Sequence, residues 1–322
     1  MFTRKMALAF LAAGLLLGTA GGQSISNIPR VGFLAPQGRS LPLLDAFQKG
    51  LADLGYIDGK DLIVEARFAE GQYDRFPALL SELVNAKVKV LVVTGAVTAR
   101  AAKKQVSDVP LVFTMVVDPV ADNVVSSLER PGGTITGVTT FDPQQATKQL
   151  QLLKEVLPKL QRVAVLGDQG VSEALIKASV EQARAMGLEP LPLRVSGPNP
   201  DFAAAFTTLQ QQHADALLVL EEPVLGVHAN QIAELASQNH LPTMFAPSRV
   251  GAGGLLSYGT SQTEGLRRMA TYVDKILRGA KAGEMPVEVV NRYELIVNQK
   301  TAKAIGIAIP DSVLKRADKV IE

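Results

Sequence analysis

The chain has 322 residues, too many for one ordinary hydrophobic core, so two domains are expected from length alone. Its 33 Lys and Arg face 31 Asp and Glu, a net charge of +2, and the interspersed signs leave no basic field for nucleic acid or an anionic lipid surface. Cysteine and tryptophan are absent and aromatics make up 5% of the chain, which excludes a disulfide framework, a lipid-modified N-terminal cysteine and a dedicated sugar-stacking platform.

Residues 1–20 read as an export signal. Arg4 and Lys5 give a positive start, Met6 to Leu17 an apolar stretch, and Gly18-Thr19-Ala20 a small-residue cleavage site. The apolar stretch falls short of the roughly twenty residues a spanning helix needs. Cleavage after Ala20 and a periplasmic mature protein are therefore expected.

From Val31 onward, strand-like apolar runs alternate with amphipathic helical stretches, the pattern of βαβ units in a parallel sheet. Val31 to Leu34 predicts a strand, and Leu43 to Leu54 a helix that stops at Gly55. Leu62 to Arg67 is the next strand and Phe76 to Ala86 the next helix. Val88 to Val93 is almost wholly apolar, as expected of a strand covered on both faces. A helix over Val97 to Val106 and a strand over Leu111 to Val117 follow.

The order then starts again. Arg30-Val31-Gly32-Phe33-Leu34-Ala35-Pro36-Gln37 resembles Arg162-Val163-Ala164-Val165-Leu166-Gly167-Asp168-Gln169 at an offset of 132 residues, and Gly55/Gly187 and Pro110/Pro242 keep that offset. Ala216 to Leu220 takes the place of Val90 to Thr94, ahead of a helix over Val227 to Gln238. The fold class expected is α/β, two doubly wound parallel-sheet lobes joined by a multi-strand hinge. Glycine pairs at Gly132-Gly133 and Gly253-Gly254 each precede a short strand, ending at Phe141-Asp142-Pro143 and Tyr258-Gly259-Thr260, where the chain is expected to cross between lobes. The helix Glu264 to Leu277 should return to the first lobe and Tyr293 to Asn298 cross again. The lobes are thus 29–140 with 261–290, and 141–260 with 291–322.

In open parallel sheets ligands bind beyond the carboxyl ends of the strands, so the turns there supply the candidate residues. Thr94, Gly95, Ala96 and Thr98 close a buried strand and open a helix, whose amide groups and dipole attract an anion such as a ligand carboxylate; an ordinary βα turn capped by Thr98 is the other reading. Gln37 lies at the first turn of the first lobe. Gln169 and Ser172 lie at the matching turn of the second, where Ser172 could equally be an N-cap. Asp118 and its second-lobe counterpart Glu222 are candidates for a ligand ammonium, or simply turn carboxylates. Phe245 and Tyr258 lie near strand ends and could cover an apolar ligand group or pack in the core.

Enzyme signatures are missing. Gly251-Ala252-Gly253-Gly254-Leu255-Leu256 begins like a dinucleotide turn, but lacks the third glycine and precedes a strand. No P-loop and no G-x-S-x-G elbow is present. His213, His228 and His240 are too scattered for an i, i+4 metal pair. No cofactor, metal site or catalytic residue is expected.

Several motifs carry a family likeness. Leu54-Gly55-Tyr56 with Gly59-Lys60, Arg67-Phe68-Ala69-Glu70-Gly71, Asp118-Pro119-Val120 and Ser127-Leu128-Glu129-Arg130-Pro131-Gly132-Gly133 are similar to the TrpX-type substrate-binding proteins of ABC transporters. So are Gly253-Gly254-Leu255-Leu256-Ser257-Tyr258-Gly259, Lys275-Ile276-Leu277-Arg278-Gly279-Ala280, Leu295-Ile296-Val297-Asn298 and Ala317-Asp318-Lys319-Val320-Ile321-Glu322. The likeness spans essentially the whole chain after the export segment. It implies a type I periplasmic binding fold and an amino-acid-like ligand, often aromatic. Glu221-Glu222-Pro223 departs from it, standing where aromatic-amino-acid binders carry an Asp-Asn type loop. The function expected is that of a monomeric binding protein whose lobes close over a small carboxylate-bearing molecule and deliver it to ABC permease membrane subunits. A periplasmic sensor partner of a membrane receptor and an α/β enzyme are the alternatives.

Overall fold

The computed structural model describes residues 28–322 apart from 37, 39–42, 141, 143, 170–172 and 247–250. The export segment, Gln37 and Ser172 therefore lie outside the described residues. Among the described residues no helix is long and apolar enough to cross a membrane.

The first half runs β1 (Arg30–Ala35), α1 (Leu43–Asp53), β2 (Ile63–Phe68), α2 (Phe76–Asn85), β3 (Val90–Thr94), α3 (Ala96–Gln105), β4 (Leu111–Val116) and β5 (Ile135–Thr139). After α4 (Gln145–Val156) the same order returns as β6 (Arg162–Asp168), α5 (Ala174–Ala185), β7 (Glu189–Val195), α6 (Phe202–Gln211) and β8 (Ala216–Val219). It continues through α7 (Pro223–Val227), α8 (Ala229–Gln238), β9 (Thr243–Phe245) and β10 (Leu256–Thr260). The tail comprises α9 (Gln262–Leu277), β11 (Glu288–Val289), β12 (Tyr293–Asn298), α10 (Gln299–Ile305), α11 (Asp311–Leu314) and β13 (Lys319–Ile321).

Two separate sheets result. One has the order β11-β5-β4-β3-β1-β2, the other β13-β12-β10-β9-β8-β6-β7. The run β5-β4-β3-β1-β2 thus matches β10-β9-β8-β6-β7 strand for strand, so the repeat visible in sequence is a repeat of topology. All these pairings are parallel; among the described residues only β10 and β12 pair antiparallel.

Both faces of the first sheet are covered, which is why its strands are continuous apolar runs. Val31, Phe33, Val90, Val92 and Val112 pack on one face with Phe47 of α1 and Leu266, Met269 and Val273 of α9. Leu34, Leu91, Val93, Leu111 and Phe113 pack on the other with Leu80, Leu83, Ala99 and Ala102 of α2 and α3. Gly50 lets α1 and α9 approach closely, since a Cβ there would stand 3.0 Å from Ala270 Cβ and from Arg267 Cα. That contact ties α9, which follows a strand of the second sheet, to the first.

The chain passes between the sheets three times: from β5 to α4, from β10 to α9 and from β11 to β12. Backbone bonds stitch these passages together, with Ser261 N donating to Arg292 O (2.9 Å) and Val290 N to Thr139 O (2.9 Å). The hinge lies beside β5 and β10, while β2 and β7 are the free edges farthest from it.

One short helix was not expected. The helix expected over Val227 to Gln238 is α8, starting at Ala229, and it is preceded by the short α7, which Pro223 starts directly after Glu222.

Candidate functional site

A cavity of about 180 Å³ lies between the lobes, at the carboxyl ends of β3, β4 and β8 and beside the hinge. Gly95, Ala96, Met115, Val117 and Asp118 form its first-lobe wall; Val219, Leu220, Glu221 and Glu222 its floor; Ala146 and Gln149 of α4 with Ala174, Ala178 and Gln182 of α5 its second-lobe wall. Its walls are largely apolar, and the alanines of α4 and α5 leave the space that larger side chains would fill. By comparison, a dry cavity of about 150 Å³ accepts benzene, so the space suits a compact ligand with one ring or a short apolar chain.

The turn after β3 is built around Gly95, whose φ of 81° and ψ of 152° belong to a region that side-chain-bearing residues avoid. No side chain caps α3 there, so its first amide groups stand at the cavity wall as an anion-attracting pole.

The charged residues among those lining the cavity are Asp118, Asp122, Asp142, Glu221 and Glu222, all acidic. Asp122 is paired with Arg100 at 3.2 Å and Asp142 with Lys148 at 3.4 Å. Asp118 Oδ1 accepts backbone N–H groups of Val120 (3.1 Å) and Ala121 (2.9 Å), which aims its carboxylate from the turn. Glu222 is 4% exposed and accepts the backbone N–H of Asp168. Burial, and the like charges of Asp168 and of Asp122 across the cleft, push its carboxyl up to about 8. The cavity therefore has an electropositive helix start on one side and a proton-holding carboxyl on the other.

The lobes also touch at the rim away from the hinge. Tyr73, in the turn after β2, donates its hydroxyl to Asp168 Oδ2 of β6 at 2.9 Å. Burial and that carboxylate push its phenol well above the ordinary tyrosine range.

Comparison with known proteins places this architecture. The family model described as ABC transporter substrate binding protein matches residues 40–321. The chain belongs to that family. A tyrosine-binding protein of Clostridioides difficile is 26% identical over 275 residues, covering 83% of this chain and 78% of that one. Among solved structures, an ABC domain from Streptococcus pneumoniae in complex with L-Trp superposes with a TM-score of 0.82 at 26% identity, covering 91% of this chain and 100% of that one. A conserved domain protein from Vibrio cholerae gives a TM-score of 0.82 at 27% identity, covering 91% and 99%. This substrate-binding protein thus has the type I periplasmic binding fold, and its family is one of binding proteins, not enzymes.

Of the residues singled out in the sequence, Gly95, Ala96, Asp118 and Glu222 line the cavity of this substrate-binding protein. Thr94 and Thr98 flank the Gly95 turn but are fully buried off the wall, each hydroxyl without a hydrogen-bond partner among the described residues. Gln169 is exposed, and among the described residues only its backbone is engaged, donating to Val195 O at 2.8 Å. Phe245 is 1% exposed in the second-lobe core, its ring lying where a Cβ on Gly254 would come within 2.4 Å. Core packing is therefore its role. Tyr258 stands outside the cavity: it stacks on Tyr293, centroids 6.0 Å apart, in a separate groove with Lys148, Glu155 and Arg316. Its carbonyl, however, accepts Gln149 Nε2 at 2.7 Å and so orients a residue of the cavity wall. Sequence reasoning missed the α4 and α5 wall. The available signal was small and amide residues, Ala146, Gln149, Ala174, Ala178 and Gln182, at helical spacing just after a chain crossing.

Proposed function

We propose that this protein is the exported solute-binding component of an ABC importer and that its ligand is a small amino acid held between the lobes. The observation that carries the reading is the pairing of a bare helix start at Gly95 and Ala96 with the carboxyl groups of Asp118 and Glu222 around one apolar cavity. A zwitterion with a compact apolar side chain matches that pattern: its carboxylate faces the amide groups, its ammonium the carboxylates, and its side chain the α4 and α5 wall. The names of the C. difficile and S. pneumoniae relatives support an amino-acid ligand, aromatic ones included.

The units 29–140 with 261–290 and 141–260 with 291–322 act in this reading as the two jaws, bending at the three-passage hinge. A ligand that touches both favours closure by its differential contact with the closed state, and about 5.5 kcal/mol moves such a balance from 1:99 to 99:1. The closed monomer is then what the permease subunits recognise, outside the inner membrane, where the N-terminal segment directs the chain. Native mass spectrometry of protein from its own periplasm, followed by a thermal-shift screen over the amino acids, tests the proposal. A retained amino acid and a rise in Tm are expected. A retained sugar or metal, with no shift from any amino acid, would exclude it.

A further inference from the structure

The contact between Tyr73 and Asp168 lies outside the cavity, and its place in the fold gives it a role. Tyr73 belongs to the single turn Tyr73–Arg75 that follows β2, and Asp168 ends β6 next to β7. β2 and β7 are the matching edge strands of the two sheets, both at the end opposite the hinge. Four strand spacings separate β2 from the hinge strand β5, a lever of about 19 Å at about 4.8 Å per strand. On that lever a rotation of roughly 10° moves the edge by about 3 Å, enough to break a hydrogen bond outright. A contact at this edge is lost at the smallest opening and regained only at full closure.

The surroundings are built to hold the bond. Asp168 is 2% exposed, and its backbone N–H donates to Glu222 on the cavity floor while its carbonyl accepts Arg194 Nη2 at 3.1 Å. Tyr73 is braced by its ring stacked on Phe76, centroids 5.7 Å apart at 13°. Beside them a Cβ on Gly71 would stand 3.8 Å from Pro198 O of the loop after β7, so the two edge loops also meet backbone to backbone. The half-buried phenol is thus hydrogen-bonded across the rim, and its partner is tied through one peptide group to a carboxyl that lines the cavity.

We infer that Tyr73 is a positioning residue for ligand retention: it touches no ligand, and by donating to Asp168 across the far rim it stabilises the closed jaws and slows ligand escape. The inference rests on the reading that the lobes close over a ligand, but not on which ligand that is. Removing the hydroxyl leaves the ligand contacts and the Phe76 stack in place. Binding should therefore weaken through faster dissociation, with little change in association.

The test uses Tyr73→Phe in the full mature chain. Because the protein has no cysteine, cysteines introduced at the exposed positions Asn85 and Gln211, on α2 and α6 of opposite lobes, can carry spin labels that report the interlobe distance. The proposal expects the fraction at the short distance to fall in Tyr73→Phe, and the dissociation rate of bound L-tryptophan or L-tyrosine to rise about threefold to tenfold, the range of a typical net hydrogen bond. Association rate and the Tm of the ligand-free protein should stay at wild-type values. Unchanged distance distributions with and without amino acid, or a loss of affinity that falls on association, would overturn it. If neither amino acid binds the wild type, the ligand assignment fails, and the comparison of label distances alone decides the role of Tyr73.

Discussion

The turns after β3 and β8 occupy equivalent places in the repeat and have been put to opposite electrostatic use. Glu222 is thus the counterpart of the Gly95 turn and not, as expected from the sequence, of Asp118, which follows β4. In the first lobe Gly95 leads straight into the ten-residue α3, so the cavity meets uncapped amide groups. In the second, Glu221-Glu222-Pro223 interposes the five-residue α7, and the cavity meets a buried carboxyl. A duplicated scaffold thus becomes a bipolar site by a change of a few residues at one turn. The topology stays symmetric because apolar strands and helix faces set it, while the chemistry diverges because turns tolerate substitution.

The largest effect is expected from abolishing the negative pole. Glu222→Gln keeps an acceptor for the Asp168 amide but cannot carry charge. Loss of a charge-assisted contact with a ligand ammonium, worth about 1.5–3 kcal/mol, should weaken binding roughly tenfold to a hundredfold by calorimetry. A variant that binds as well as wild type would remove Glu222 from the ligand's surroundings. The same variant isolates a pH effect. With its carboxyl raised to about 8 in the folded chain against 4.5 unfolded, the folded state holds a proton that the unfolded state has lost. Stability from this group is therefore full below about pH 4.5 and declines as pH rises through 8. Between pH 5 and 8, wild type should lose stability relative to Glu222→Gln in urea titrations; parallel pH profiles would contradict the assignment. Because an ammonium docking on Glu222 displaces that proton, wild-type affinity should rise from pH 6 to 8.

A somewhat smaller effect should follow at the positive pole. Gly95→Ala forces a side chain into the conformation at φ 81°, ψ 152°, at a cost of about 1–3 kcal/mol. Chemical denaturation should show that loss, with binding weakened alongside it as the turn shifts away from the cavity. Full stability with full affinity would mean that the turn is not held as described.

How much of this was legible in the chain follows the same division. The 132-residue offset and the apolar runs at Val88 to Val93 and Ala216 to Leu220 report burial on both faces of a sheet, so the lobes and their strands could be read directly. Gly95 and Glu222 could be read because a parallel sheet presents its carboxyl-end turns to ligand. The α4 and α5 wall could not: whether Ala146 or Ala178 faces a cavity depends on how two helices settle beside a hinge, a long-range packing outcome. Phe245 and Tyr258 show the converse limit. Both sit near strand ends, but strand-end position alone does not say which face of a doubly covered sheet a ring takes, and here one ring joined the core and the other an outer groove.

The smallest effect is expected in that groove. Tyr258 stacks on Tyr293, over whose ring Lys148 Nζ lies at 4.6 Å, and Lys148 in turn pairs with Asp142 on the cavity wall. Tyr258→Phe retains the ring, the stack and the backbone carbonyl that orients Gln149. Affinity measured by calorimetry should therefore stay within about twofold of wild type, since the variant loses the phenol's contact with Lys148 while Lys148 keeps its pairing with Asp142, and the groove lies outside the cavity. A tenfold loss would show instead that the groove and the cavity are coupled through Lys148 and Asp142, and the contrast between a bipolar cleft and an inert outer groove would have to give way to a single connected site.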